Sequence, residues 1–248
     1  MILAAVVFLT VLVGAFLQRV SGMGLGLIGG PVLMIAMGPV DGILVLNVLA
    51  AVNAAMSTLT VYKDVHWRNF AIISAVLVLG AVPGAWLIRA VSPDWLLIVA
   101  GALLLIALSV VTIGKRHVPQ VSGTAPMALS GVVAGFMNTL AGIAGPAITV
   151  YATAARWPQR MYAATLQPIF MVSGAISFGI KLVTGAADLS AVNPIVWPVG
   201  LVAMAVGIFL GVKVAPHVPR ARAYQLALGL AVFGGVVALG RGLVGLIA

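Results

Sequence analysis

The sequence predicts an all-α integral membrane protein made of two inverted repeats, each a broken or re-entrant helical hairpin followed by three transmembrane helices. Three observations lead there. Of the 248 residues, 63% are hydrophobic and only 7% charged, with a mean hydropathy of +1.24, whereas soluble domains carry about 25% charged residues. Two glycine-rich breaks, Ser21-Gly-Met-Gly-Leu-Gly-Leu-Ile-Gly-Gly-Pro31 and Asn138-Thr-Leu-Ala-Gly-Ile-Ala-Gly-Pro146, interrupt otherwise apolar sequence. Lipid cannot hydrogen-bond freed backbone groups, so such breaks must line a protein-enclosed or watery cavity, and a pair of them points to a transporter's binding site. Finally, the basic residues sort onto one face only if each break lies in a hairpin that returns to its starting side.

At about 20 residues per span, hydropathy and loop signals give apolar segments near 2–18, 31–37, 43–61, 70–88, 95–113, 125–137, 147–155, 161–180, 195–212 and 223–247. Segments 31–37 and 147–155 are too short to cross alone. If 2–37 and 125–155 each crossed once, the basic residues would tie at six a side, with Arg19 omitted as a mid-segment charge. If both are hairpins, one face collects nine (Lys63, Arg68, Lys115, Arg116, Arg156, Arg160, Lys213, Arg220, Arg222) against three for Arg89, Lys181 and Arg241. The nine-charge face is then cytoplasmic and both termini lie outside, in a multi-pass protein of the inner membrane. Trp67 and Trp157 mark the inner interface and Trp86, Trp95 and Trp197 the outer one.

A hairpin plus three crossings is an odd number of passes, which inverts the second half. The first repeat spans 1–114, the cytoplasmic linker 115–124, and the second repeat 125–248. At an offset of 115, Ile28, Gly30 and Pro31 fall on Ile143, Gly145 and Pro146. At an offset of 120 in the next helix, Leu46, Asn47, Ala55 and Ser57 fall on Leu166, Gln167, Ala175 and Ser177.

Composition excludes several functions. The net charge of +9 is spread singly over short loops, which is a topology signal and predicts no nucleic-acid partner. Cysteine is absent, which removes disulfides, thiolate catalysis and cysteine metal sites. Met1 to Leu17 lacks a basic n-region and reads as a retained span. No Glu occurs and no Asp is expected within a span, so a buried-carboxylate proton relay of the usual kind is not expected. His66, His117 and His217 fall in loops as interfacial histidines, and neither metal nor cofactor is expected.

Gly29-Gly30-Pro31 and Ala144-Gly145-Pro146 read as loops opening short helices, because proline at a first helical turn loses no hydrogen bond. The free amides of two such N-termini, converging near the midplane, would suit an oxyanion. The alternative is that the glycines only permit close packing. Asn47 and Gln167 occupy related positions after the breaks and face the interior, either binding substrate or capping the exposed backbone of the hairpin tips. Arg19 either holds an anion bidentately or snorkels to an interface. Asn138 and Thr139 begin the second break. The candidate substrate-binding set is thus Arg19, Gly29, Gly30, Pro31, Asn47, Asn138, Thr139, Gly142, Gly145, Pro146 and Gln167.

The Gly-Gly-Pro break, the Ala/Ser-rich helix after it and a second Gly-Ile-x-Gly-Pro break after a basic linker resemble the TauE/SafE sulfite exporter family, also called the 4-toluene sulfonate uptake permease family, over nearly the whole chain. The resemblance implies a bacterial or archaeal inner-membrane secondary carrier for small anions such as sulfite, sulfonates, sulfoacetate or related organic acids. Gly29, Gly30 and Pro31, with Gly142, Gly145 and Pro146, match the family's paired breaks. The chain departs from it in Ala141 and Ala144, where a fuller glycine run is typical, and in lacking a membrane carboxylate, which leaves ion coupling open. The expected partners are a small anionic substrate and the lipid bilayer, and a homodimer is compatible. The alternative to a carrier is a non-transporting membrane subunit or assembly factor. An enzyme is not expected, since neither nucleophile, acid pair nor metal cluster is evident.

Overall fold

The computed structural model describes residues 1–113 and 120–247. Lys115, Arg116 and His117, and with them the first half of the expected linker, lie outside the described residues. Ten α-helices follow one another: α1 (Ile2–Ser21), α2 (Leu25–Met37), α3 (Pro39–Val61), α4 (Trp67–Ala90), α5 (Pro93–Ile113), α6 (Thr124–Ala141), α7 (Gly145–Ala154), α8 (Gln159–Val183), α9 (Val196–Val214) and α10 (Arg220–Ile247). Among the described residues there is no strand, and eight of these helices are long and apolar enough to cross a membrane. The other two, α2 and α7, have 13 and 10 residues, about 20 and 15 Å at 1.5 Å per residue, and cannot cross. Mid-helix side chains such as Leu79, Leu129 and Phe233 stand exposed around the outside, as a lipid-facing surface requires.

Each break reverses the chain. Helix α1 ends at Gly22 in the left-handed conformation (φ 89°), its N–H donating to Gln18 O at 2.8 Å. Helix α6 ends in the same way at Gly142 (φ 71°), its N–H donating to Asn138 O at 2.9 Å. Glycine is needed at both because a side chain is strained at positive φ. After the second break, Val121 N–H donates to Ala154 O (3.2 Å) and Tyr151 O–H to Gly123 O (3.1 Å), so the end of α7 lies beside the start of α6. After the first, Leu17 and Val20 at the end of α1 cluster with Ala223 and Ala227 at the start of α10. Helix α2 then runs along α10, with Pro31 against Gly234 and Ile35 O accepting from Arg241 Nη1 at 3.0 Å. It therefore travels back along α1.

The first break is shorter than the sequence suggested, and this is a correction. Only residues 22–24 are non-helical, and Gly29, Gly30 and Pro31 lie inside α2 rather than opening it. Gly145 and Pro146 do open α7. The two turns therefore correspond at an offset of 120, Gly22 with Gly142, and not at 115. The reason is that Gly29 and Gly30 serve packing: a β-carbon at Gly29 would come within 2.6 Å of Leu46 Cδ1, and one at Gly30 within 2.6 Å of Ala141 O.

Close helix crossings complete the fold. Helix α4 lies against α6 through Gly80 and Gly135, and α1 against α9 through Gly207 and Gly211. Helices α3 and α8 cross where Gly174 meets Asn47 O, and α5 and α10 where Gly101 meets Gly235 O. Replacing α1–α5 by α6–α10 in order, and the reverse, turns this set of pairs into itself.

One face of the molecule carries the connections 62–66, 155–158 and 215–219. Arg160 Nε pairs with Asp64 Oδ2 at 2.9 Å, and His66 N–H donates to Thr165 Oγ1 at 3.0 Å, tying the 62–66 connection to the start of α8. His66 also caps α4 by accepting from Asn69 N–H at 3.3 Å, a structural task for a residue expected only to sit at the interface. Lys63, Arg68, Arg156, Lys213, Arg220 and Arg222 cluster at the same ends, which we call the basic face. Asp188 lies toward the opposite face, where the hydroxyl and N–H of Ser190 hold its carboxyl below the usual carboxylate range.

Candidate functional site

The site is built where the two turns meet the α3–α8 crossing. Gln18, on the last turn of α1, donates from Nε2 to Gln167 Oε1 on α8 at 3.4 Å. Its Oε1 accepts from Leu25 N–H, the first amide of α2, at 3.2 Å. Gln167 Nε2 in turn donates to Gly22 O at 3.3 Å and Ala163 O at 3.4 Å. This side chain does cap exposed turn backbone, one of its two expected roles. Across the crossing, Asn138 on α6 donates from Nδ2 to Asn47 Oδ1 at 3.4 Å, to Ser177 Oγ at 3.0 Å and to Ser173 O at 3.1 Å. Thr139 Oγ1 also donates to Ser177 Oγ, at 3.0 Å.

The two amide pairs map onto each other. Adding 120 takes Gln18 to Asn138 and Asn47 to Gln167, so each break reaches the long helix that follows the other break. Four buried side-chain donors in or near these clusters have no hydrogen-bond partner: Asn47 Nδ2, Asn53 Nδ2, Ser173 Oγ and Lys181 Nζ. Leaving buried donors unpaired is costly.

Two cavities flank the breaks. A small one of about 40 Å³ lies between the turns, lined by Met23, Gly26, Asn138, Gly142, Gly145 and Phe170 among others. A much larger one, about 900 Å³, extends from Gln18, Gly22, Met23 and Gln167 to Asp64, Trp157, Arg160 and Arg220 at the basic face. Gln18 and Met23 border both cavities. We call the larger one the vestibule. Arg19, Arg160 and Arg220 line it, with Asp64 as the one carboxylate among its described lining residues, and Asp64 is engaged by Arg160. Arg19 Nη1 donates to Thr60 Oγ1 at 3.1 Å. The lining is therefore net positive, an arrangement that concentrates anions. Deeper in, Thr149 and Tyr162 hydroxyls share a hydrogen bond at 2.6 Å.

Toward the opposite face the breaks are followed by close apolar packing. Ala85, Ile88, Leu96, Leu140 and Ala186 form an apolar cluster with Val40, Phe136 and Ile180 packed on it. These residues lie at or near the ends of α3, α4, α6 and α8 remote from the basic face, and at the start of α5.

Of the residues expected at the site, Arg19, Asn138, Gly142, Gly145, Pro146 and Gln167 border a cavity. Asn47 stands behind them as a partner of Asn138, and Thr139 is joined to Asn138 only through Ser177. Gly29, Gly30 and Pro31 border neither cavity, which removes them from the lining. The expected free amide at the start of α2 is likewise occupied, by Gln18. Two polar residues in this region were not singled out from the sequence. Gln18 could have been found by aligning the breaks at 120, which sets it on Asn138. Lys181, counted as an outer-face charge, is fully buried, and no pattern in α8 itself signals that. Among the described residues no three His, Asp or Glu side chains are grouped to hold a metal ion.

The sulfite exporter TauE/SafE family model matches residues 6–239, which takes in both breaks, the amide pairs and the vestibule. The chain belongs to that family. TauE/SafE proteins are transporters rather than enzymes, and membership implies a membrane exporter of sulfite or another anion. With its apolar helices this makes the chain a multi-pass membrane protein. No curated protein and no solved structure matches it.

Proposed function

We propose that this TauE/SafE protein is a secondary carrier of small, sulfur-containing anions such as sulfite, a sulfonate or sulfoacetate, bound near the midplane between the two breaks. The observation that carries this is the vestibule, a positively lined funnel ending on the Gln18–Gln167 pair beside the turn at Gly22. An oxyanion arriving there meets guanidinium groups first and neutral amide donors last. That order gives fast capture without a trap: charged donors contribute roughly 1.5–3 kcal/mol each and neutral ones about 1.

On this reading the basic face is cytoplasmic, both termini are outside, the membrane is the inner one, and the conformation described is open inward. Residues 1–114 and 125–248 form inverted repeats, a view supported by the helix pairs and amide pairs that exchange when 1–5 is replaced by 6–10. Rocking one repeat against the other would close the vestibule and part the apolar cluster on the far side.

The test is uptake by proteoliposomes of labelled sulfite, sulfoacetate and simple carboxylates, with a neutral amide isostere as control. Saturable uptake of an anion and not of the isostere is expected. A protein that binds and moves none of them would end the carrier reading. Sidedness is checked separately with single cysteines at Gln120 and Gln159, which should both be labelled from the cytoplasm.

A further inference from the structure

Lys181 is the one cation of the chain fully enclosed among the described residues, with no exposed surface and no hydrogen-bond partner for Nζ. It lies two residues before the end of α8 (Gln159–Val183), close enough to a membrane interface to snorkel, and it does not. Nor is any carboxylate within ion-pair distance: Asp64 pairs with Arg160, Asp188 holds Ser190, and neither Asp41 nor Asp94 bridges to Lys181. A buried ammonium in this condition is costly, and the cost is relieved by loss of its proton or by an anion that joins it in some state of the protein.

Its place in the fold says which state. Lys181 follows Ser177 by one helical turn, and long helical side chains lean back over the preceding turn. Ser177 accepts from Asn138 and Thr139 at 3.0 Å each. On the basic side, the residues related by 120 are Arg19 for Thr139 and Ser57 for Ser177. There Arg19 donates to Thr60 Oγ1, whose hydroxyl donates to Ser57 O at 2.7 Å. Each side of the midplane thus has one cation at the contact between a break helix and the following long helix. On the basic side α1 supplies it, and on the far side α8 does. Arg19 opens onto the vestibule, whereas Lys181 is sealed next to the apolar cluster that contains Ala186 and Ile180.

We propose that Lys181 is the far-side counterpart of Arg19: the cation that holds the substrate anion when the carrier is open at the opposite face, with Ser173 and Ser177 beside it. The proposal rests on the carrier reading above. In the conformation described, this half of the path is occluded. Parting the apolar cluster would expose Lys181 to the far solution, as Arg19 is exposed now.

The chain has no cysteine, so Lys181→Cys and Arg19→Cys each carry a single thiol. In oriented vesicles a membrane-impermeant trimethylammonium-ethyl thiosulfonate should modify Lys181→Cys from the opposite face only, and Arg19→Cys from the basic face only. Anion uptake by Lys181→Met should fall about tenfold or more, the worth of one charge-assisted hydrogen bond. Aminoethylation of Lys181→Cys, which restores a cation, should recover uptake, and a neutral thiol reagent should not. Lys181→Met should also melt no lower than the parent, because it removes a buried polar head with no hydrogen-bond partner. The proposal is overturned if Lys181→Met transports like the parent, if it melts well below it, or if Lys181→Cys reacts from the basic face or from neither. Should the parent carry none of the anions, the carrier reading has failed, and labelling alone decides this one: modification from the opposite face supports it and its absence overturns it.

Discussion

At Gly22 the turn stands beside open space, and a β-carbon built there meets nothing within 4 Å. At Gly142 the same turn is packed: the added atom would collide with Leu46 Cδ2 and lie 3.4 Å from Ile43 Cδ1. The polar residues follow the same division. Gln18 and Gln167, themselves largely buried, border the vestibule, while Asn138 borders only the small cavity and is bonded with Thr139 to Ser177. One turn geometry has been placed in two environments, wet on the side facing the vestibule and dry on the other. On the proposed carrier reading, that asymmetry is what two related half-sites should show in a conformation open on one side.

The largest expected effect separates the two glycines. Alanine at Gly22 costs about 1–2 kcal/mol for a left-handed side-chain residue. Alanine at Gly142 adds overpacking of about 1–3 kcal/mol to the same strain. Purified Gly142→Ala should therefore melt clearly below Gly22→Ala and transport least. Equal melting temperatures would mean that the second turn yields as easily as the first and that the dry side is not rigid.

Next come the amides. Asn138→Leu leaves Asn47 Oδ1 and part of the Ser177 network without a donor beside a cavity of only about 40 Å³, at about 1–3 kcal/mol for each group left unpaired. Gln18→Leu removes the acceptor of Leu25 N–H, but water from the vestibule can replace it, so its stability cost should stay below about 1 kcal/mol. Its effect should fall on anion affinity instead. Chemical denaturation and equilibrium binding, measured on both variants, would reverse the comparison if Gln18→Leu were the less stable and Asn138→Leu the weaker binder.

What the sequence disclosed divides along similar lines. Membrane character, helix number and the inward, related positions of Asn47 and Gln167 follow from hydropathy and from the cost of burying amides, both carried by single residues. The role of each glycine does not. Gly142 reverses a chain, Gly29 admits Leu46, and Gly26 admits Gly142 O, yet all three read alike until their neighbours are known. That is why the Gly-Gly-Pro run was placed at the opening of α2, although the turn belongs to Gly22. Lys181 shows the same limit from the charge side. A lysine in the last turn of a spanning helix ordinarily marks an interface, and its burial is decided by helices far away in sequence.

The smallest effect on stability, and the most discriminating for mechanism, concerns Arg19. It is partly exposed and bonds only Thr60 among side chains, so Arg19→Gln should leave the melting temperature nearly unchanged. If the guanidinium touches the bound anion, affinity should fall about tenfold or more, with modest dependence on salt because the contact is desolvated. If it only draws anions into the vestibule, the loss should appear in the rate of uptake at low ionic strength. It should then vanish as salt shortens the screening length from about 30 Å at 0.01 M to about 8 Å at 0.15 M. Arg19→Lys separates the cases further: it keeps the charge and loses the planar fork, so it should behave as parent in a steering role and remain impaired in a bidentate one. We expect the contact outcome, since Arg19 follows directly on Gln18 at the floor of the vestibule. Unchanged uptake by Arg19→Gln at every salt concentration would remove Arg19 from the site and leave capture on the wet side to Gln18 and Gln167 alone.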